Sequence, residues 1–487
     1  LDRDTTREHV AIRNTSAAGN GPAGEDPTVD ERYDTVARVE VGDAWSIDVP
    51  DGRTYALAVV VGDPAYDSAE FTDSGAASSR TFLEVNGVPF IDGRLRGNWP
   101  FAEASGFVVP GADGRITLEV ASKTNNGRVL WARVTEVEAP PTYSDGQAVK
   151  WRIPSDPPAE GLPTGVIRRG EGGGEVLGDD LILIGGFQEA YADTWQRADA
   201  APLDGSPSRE LTPLPDGIAD THAGVATDET RGLIYWVGGQ VGLPEPSEFD
   251  IARDDVLAFD PDGGADNLGE WITLPDLPEV RTSSLAFLYN DRLHVVGGAD
   301  ETGVVSRREH WSLDLVAAVD NGDATTQWRE EAFVPFAFNH SEVAIVDDAD
   351  GDPMAVIVGG EYDHIMGYST LRHVQRYHFE QGGWTLGAMM PAGVSHHAAI
   401  VQETTTGDVI WVAGGQNKAN TVTNTLYSYD VIADTWNTHA NMPEARKIGF
   451  LYFDDRDTAA EDDDRLIYVA GDRSPGGFTV FPLVGDL

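Results

Sequence analysis

Six times along the chain an apolar run suited to a β-strand ends in a small-residue pair: Gly185-Gly186, Gly238-Gly239, Gly297-Gly298, Gly359-Gly360, Gly414-Gly415 and Gly471-Asp472. Successive pairs lie 53, 59, 62, 55 and 57 residues apart. That period is too long for a solenoid and suits a four-stranded propeller blade with generous loops. Such a fold hosts enzymes, lectins and scaffolds alike, so the repeat constrains architecture and names no reaction.

From residue 147 onward each repeat can be laid out in full. Its innermost strand is a short apolar run near Thr221, Ser283, His340, His396 or Ile448, and its second strand ends in the glycine pair. The later strands carry a spaced aromatic pair, clearest in Tyr377 with Trp384 and Tyr429 with Trp436; Trp271 and Trp328 fill the later position in their repeats. Glycine pair plus spaced aromatics resembles the kelch repeat, which implies a six-bladed propeller over residues 147–487. In the first repeat the tryptophan position is expected near Leu211. The last repeat stops at Phe478 to Leu487 without a tryptophan strand, and a matching strand stands at the other end, Val149 to Pro154. A ring closed by that strand has no exposed edge.

Residues 1–139 have a different texture. Strand-like stretches at Thr54 to Asp63, Thr81 to Gly87, Gly114 to Ser122 and Arg128 to Val137 are separated by Gly and Asp turns, the pattern of a β-sandwich. Residues 140–146 read as a short linker. The runs Trp45 to Gly52, Val60 to Ser68, Leu83 to Gly87, Asp113 to Thr117 and Asn125-Asn126 resemble the malectin-like carbohydrate-binding jelly roll. Domains of that kind open on a strand well ahead of residues 3–13; the expectation is that a partner supplies it, or that the chain was cut or is incomplete. The whole is therefore expected to be all-β.

Charge speaks to habitat. The formal net charge is -47, from 81 acidic and 34 basic residues, and only Lys123, Lys150, Lys418 and Lys447 are lysine. At molar salt the Debye length falls to about 3 Å and such self-repulsion is screened. Acid excess spread over every segment with scarce lysine points to brine and an archaeal, haloarchaeal source. An extracellular, cell-surface or virion setting follows as an expectation, and nucleic acid is excluded as a partner for so anionic a surface. There is no cysteine, which removes disulfides and thiolate metal sites, and no run of eighteen apolar residues. Asn14 and Asn339 head possible glycosylation triplets.

Topology brings the start of each innermost strand and the loops after the glycine pairs to one mouth of the propeller. There the sequence places His222, Arg281, His340, His397 (or His396) and Arg446, with Gln240, Glu361, Tyr362, His364, Gln416, Asn417 and Lys418 from the loops. Imidazole, guanidinium, amide and phenol groups around a pit can bind hydroxyls and a carboxylate, as an anionic glycan requires. The kelch pattern itself often has His or Arg there, bonded to backbone. In the sandwich, Tyr66, Trp99 and Phe101 are candidate sugar platforms, with Asp67, Asn98 and Asn126 as hydroxyl partners. Kelch-type copper oxidases need a cysteine crosslinked to tyrosine, which this chain lacks. Sialic-acid mutarotases resemble it in having six kelch blades, so a mutarotase or epimerase at the mouth is the enzymatic alternative. No catalytic residue, cofactor or metal site is assigned. Calcium at Asp347 to Asp352 or Asp454 to Asp457 has no EF-hand spacing behind it, and these acidic runs read as solvated hairpin tips. The expected function is non-catalytic recognition of glycans or surface proteins, for adhesion or within a larger surface or virion assembly.

Overall fold

The computed structural model describes residues 2–3, 10–11, 37–39, 42, 44–49, 54–62, 80–94, 101–108, 110–111, 113–120, 127–137, 149–154, 162–163, 169–187, 194–218, 220–241, 252–362, 369–454, 464–473, 477–478 and 482–487. Among them the chain is all-β apart from one π-helical turn at Val316–Asp320. Two compact units emerge: residues 1–142 with 332–336 and 373–389, and the remainder.

In the first unit, two antiparallel sheets are built from alternating sequence. One runs in the order Asp2–Arg3, Val10–Ala11, Gly127–Val137, Thr54–Gly62, Phe101–Val108, with Ala37–Val39 also on Gly127–Val137. The other is ordered Ala44–Asp48, Arg115–Val120, Arg80–Val85, Val88–Arg94. Every second residue turns inward, so Tyr55, Leu57, Val59 and Val61 meet Leu83, Val85, Ile116, Leu118 and Val120 in one apolar cluster. Val10–Ala11 pairs with Arg133 and Val134 on one side and with Asp2–Arg3 on the other.

The second unit is organised around six short strands, β1 (Gly173–Leu177), β2 (Gly224–Asp228), β3 (Leu285–Tyr289), β4 (Glu342–Asp347), β5 (Ala398–Gln402) and β6 (Phe450–Asp454). Each is the inner strand of a four-stranded antiparallel sheet. Neighbouring inner strands touch in sequence, and β6 touches β1, which closes the ring. The outer strand of the sixth sheet is Lys150–Arg152, paired with Leu483–Asp486 from the other end of the chain.

The glycine pairs hold neighbouring sheets together. Each first glycine has a positive φ, and a Cβ on Gly414 would sit 2.3 Å from the carbonyl oxygen of Arg446. That closeness is used: the amide of Gly415 donates to the same oxygen at 2.7 Å, as Gly186 does to Asp220 and Gly239 to Arg281. In the sixth repeat the two left-handed residues after the strand are Ala470 (φ 57) and Gly471 (φ 86), so the pair is Ala470-Gly471 and not Gly471-Asp472. The tryptophans bond backward. Trp271 donates to the carbonyl of Thr212 and Trp328 to that of Pro275, each in the connection leaving the preceding sheet. In the first sheet Leu211 faces Ala198 as Leu274 faces Val256, so Leu211 takes the place of Leu274, and the tryptophan position falls three residues earlier.

Candidate functional site: the ring at the channel mouth

The inner strands enclose a cavity of about 460 Å³, walled by Gly173, Gly224, Ala286, Ala344, Ala398 and their neighbours. Just before each inner strand, one residue adopts a left-handed conformation: Glu171, His222, Ser283, His340, His396 and Ile448, with φ between 47 and 56. L-residues avoid this region, so six at equivalent positions need a common cause. The cause is two runs of main-chain hydrogen bonds that link these positions, Glu171 to His222 to Ser283 and His340 to His396 to Ile448. The amide of His222 donates to the carbonyl of Glu171, Ser283 to His222, His396 to His340, and Ile448 to His396, at 2.7 to 3.1 Å.

The side chains of that ring fill its centre. His222 Nε2 lies 3.0 Å from Glu171 Oε2, and His396 Nε2 lies 3.6 Å from Glu171 Oε1. The His340 and His396 rings stack at 3.9 Å, and His222 meets His340 edge-on at 5.2 Å. Ser283 Oγ is 3.1 Å from His340 Nε2. Burial pushes the Glu171 carboxyl up, but His222, His396 and His340 outweigh it and hold the group well below the usual carboxylate range. His396 is driven well below the ordinary imidazole value, by burial first and by His340 second.

The residue before each histidine fixes its ring. His222 Nδ1 is 3.0 Å from Thr221 Oγ1, His340 Nδ1 is 2.6 Å from Asn339 Oδ1, and His396 Nδ1 is 3.0 Å from Ser395 Oγ. Glu361, fully buried, ties two of these together: one oxygen lies 3.3 Å from His340 Nδ1 and the other accepts from the Ser395 hydroxyl at 3.1 Å. Deeper in the cavity stand Glu175 and Glu342. Burial pushes Glu175 up to about 7, and burial together with the Glu175 charge pushes Glu342 up to about 8.

Of the residues singled out from sequence, His222, His340 and Glu361 meet at this ring. His396 takes the ring position; His397 packs beneath the glycine pairs, close to where a Cβ on Gly359 or Gly415 would project, and burial lowers its pKa to about 4. Arg281 and Arg446 sit two residues before the ring position and are buried ties. Arg281 bonds Glu309 and Glu279 over the face of Trp311, and Arg446 bonds Glu444. Arg169 is their counterpart in the first repeat, paired with Asp199. Tyr362 is buried in a two-stranded ladder with Ser369. Gln240 accepts from Thr282, Gln416 from Lys447, and Asn417 caps its own turn, with Lys418 exposed. Asn339 is fully buried with Nδ2 donating to Ser306, which closes that glycosylation triplet in the folded state. The acidic run at Asp347 to Asp352 is a hairpin tip in which Asp348 accepts the amides of Asp350 and Asp352. His364, Tyr66, Asp67, Asn98, Trp99, Asn126, Asn14 and Asp455 to Asp457 lie outside the described residues, and Phe101 is described only as part of a strand. Sequence reading passed over Glu171 and Ser283 as ring members; register with the histidines is the one signal that marks them.

Residues 221–450 match the family model described as the Attractin/LZTR1 beta-propeller. A kelch repeat-containing protein of Arabidopsis thaliana is 24% identical over 269 residues, 49% of this chain and 57% of its own length. The Kelch-like protein terF of Aspergillus terreus is 25% identical over 344 residues, 67% of each chain. The propeller is of the kelch type. This chain thus spans little more than half of the Arabidopsis relative. The solved structure of YjhT is similar over 66% of this chain and 96% of its own, at 16% identity and a TM-score of 0.48. Among the described residues, no helix is long and apolar enough to cross a membrane.

Proposed function

We propose that this protein is a non-catalytic recognition module of a high-salt, extracellular setting, in which a six-bladed kelch propeller and a malectin-like sandwich each offer a surface to glycans or surface proteins. The observation that carries the reading is that the polar side chains at the mouth are engaged with one another. His222, His340, His396, Glu171, Ser283 and Glu361 are bonded to one another, Arg281 and Arg446 are locked to buried carboxylates or rim glutamate, and nothing in that arrangement singles out a group for attack on a substrate. Recognition then falls to the loops that a rigid propeller presents, the kind of surface used for protein partners. Two sheets around one apolar cluster support the sandwich, and six four-stranded sheets with touching inner strands support the blade number. The brine setting draws on the charge of -47 and on arginines saddled by several carboxylates, such as Arg231 between Asp228, Asp291 and Asp320.

One observation favours a second reading, a sugar mutarotase or epimerase. The cavity holds two carboxyl groups, Glu175 and Glu342, poised at about 7 and about 8, where one can donate and the other accept a proton. A glycan array and a surface-protein pull-down in about 2 M KCl, where the fold's charge is screened, separate the two readings. Stable binding with no change in anomer exchange rates supports recognition. Acceleration of anomer exchange that is lost in Glu342→Gln replaces it with the enzymatic reading, and neither binding nor exchange sinks both.

A further inference from the structure

The protonation pattern at the ring is fixed by its neighbours. Asn339 Nδ2 donates to Ser306 Oγ, so Asn339 Oδ1 faces His340 Nδ1 and can only accept. Ser395 gives its hydroxyl proton to Glu361 and therefore accepts from His396 Nδ1. Thr221 directs its hydroxyl toward the carbonyl of Gln240 and accepts from His222 Nδ1. Each of the three imidazoles thus donates through Nδ1, which in the neutral ring makes Nε2 the lone-pair nitrogen. His222 Nε2 and His396 Nε2 lie 3.0 and 3.6 Å from the two oxygens of Glu171. These oxygens and ring nitrogens converge around one point that a cation, either a second proton or a metal ion, can occupy.

Beyond the recognition role, we propose that Glu171, His222, His340 and His396 form an axial site for a divalent transition-metal ion of the zinc class. One ligand atom each from Glu171, His340 and His396 already lies within 4.8 Å of the others, and His222 Nε2 adjoins the same carboxylate. Zinc bonds of about 2.0–2.1 Å place tetrahedral ligands about 3.4 Å apart, so the Glu171, His340 and His396 atoms close on an ion with side-chain movements of about 1 Å, and His222 reaches it from beside the Glu171 carboxylate. Three imidazoles and a carboxylate suit zinc, nickel or copper, whereas calcium and magnesium take oxygen shells. The Nδ1 partners Thr221, Asn339, Glu361 and Ser395 are the outer contacts that hold a ligating histidine in one tautomer and orientation. The ligands come from the strand starts of four different sheets, so the ion pins the ring of the propeller at its centre.

The test uses the full chain without an affinity tag, stripped with a chelator, loaded with zinc chloride in about 2 M KCl and separated from unbound metal. Elemental analysis is expected to find about one zinc per chain, lost in His340→Ala and in His396→Ala and retained in the control His378→Ala. Should a ring variant fail to fold, zinc-edge X-ray absorption of the unmutated protein reads the site directly, and a shell dominated by imidazole is expected. No retained zinc in the unmutated protein, retention unaffected by both ring variants, or an all-oxygen shell would overturn the proposal; the first of these leaves a second proton as the cation of the ring.

Discussion

Replacing Glu342 by glutamine should stabilise the propeller, and by an amount that depends on pH. In the folded state burial and the neighbouring Glu175 charge raise the carboxyl from its ordinary 4.5 to about 8, while the unfolded chain returns it to the ordinary value. Between those two values the folded state holds a proton that the unfolded state has released, so stability falls as pH rises. At about pH 7 the cost is the gap from 4.5 at about 1.4 kcal/mol per pH unit, or about 3 kcal/mol, an upper bound because water in the channel screens part of it. A glutamine of the same shape escapes that cost. With unfolding entropy near 2.1 cal/mol/K per residue, 3 kcal/mol spread over the roughly 340-residue propeller corresponds to about 4 °C in midpoint. Thermal unfolding in about 2 M KCl should therefore show Glu342→Gln level with the parent below about pH 4.5, progressively ahead up to about pH 8, and with a constant lead above it. A lead that is already present at acid pH and does not grow would mean that new amide contacts, and not ionisation, cause it.

Three further outcomes are expected. Gly414→Ala should cost at least about 2 kcal/mol, because its Cβ would meet the Arg446 carbonyl at 2.3 Å, whereas Ala470→Gly should be neutral or stabilise by about 1 kcal/mol by relieving a left-handed alanine; thermal midpoints compare the two. Arg281→Met should cost about 3–5 kcal/mol by stranding the buried Glu309 carboxylate, and adding Glu309→Leu should restore most of the loss; equal losses in the single and double variants would place the effect in the packing on Trp311 instead. Dilution from about 2 M to about 0.1 M KCl lengthens the screening distance from about 3 Å to about 10 Å and should lower the melting midpoint steeply; an unchanged midpoint would detach the charge of -47 from a brine habitat.

The parts of the fold legible in sequence were those tied to steric necessity. Five of the six pairs are true glycine pairs because a Cβ on the first member would strike the next sheet: a backbone carbonyl in four repeats and the ring of Phe338 at Gly297. The sixth escaped register because Ala470 tolerates the same left-handed angle, leaving Gly471 to be matched one place too late. Trp271, Trp328 and Trp384 were visible for a similar reason, since each must reach a particular carbonyl with its indole N–H. The first repeat was harder. It lacks the tryptophan, and the pairing of Ala198, Asp199 and Ala200 with Leu211, Glu210 and Arg209 sets its register.

The ring at the channel mouth obeys the opposite logic. Its six left-handed residues are held by main-chain hydrogen bonds, which ask nothing of the side chain except that it bear a conformation costing about 1 kcal/mol. Glutamate, histidine, serine and isoleucine therefore all occur there, and no residue type announces the position. Arg281 and Arg446, two places earlier, looked equally suitable from the sequence, yet their length and charge are spent on Glu309 and Glu444. Glu171 is hardest to find, standing beside a run of glycines 225 residues before His396. Because the backbone fixes where these side chains converge while leaving their identity open, substitution at the ring can change the chemistry at the centre of the propeller without changing the propeller. Placing Ile448 in register with three histidines makes the point: the same geometry that gathers a carboxylate and three imidazoles at four positions gathers a purely apolar group at another. An Ile448→His variant is thus expected to bring a fourth imidazole to the centre with the blades intact, which near-ultraviolet circular dichroism would report as an unchanged tertiary spectrum.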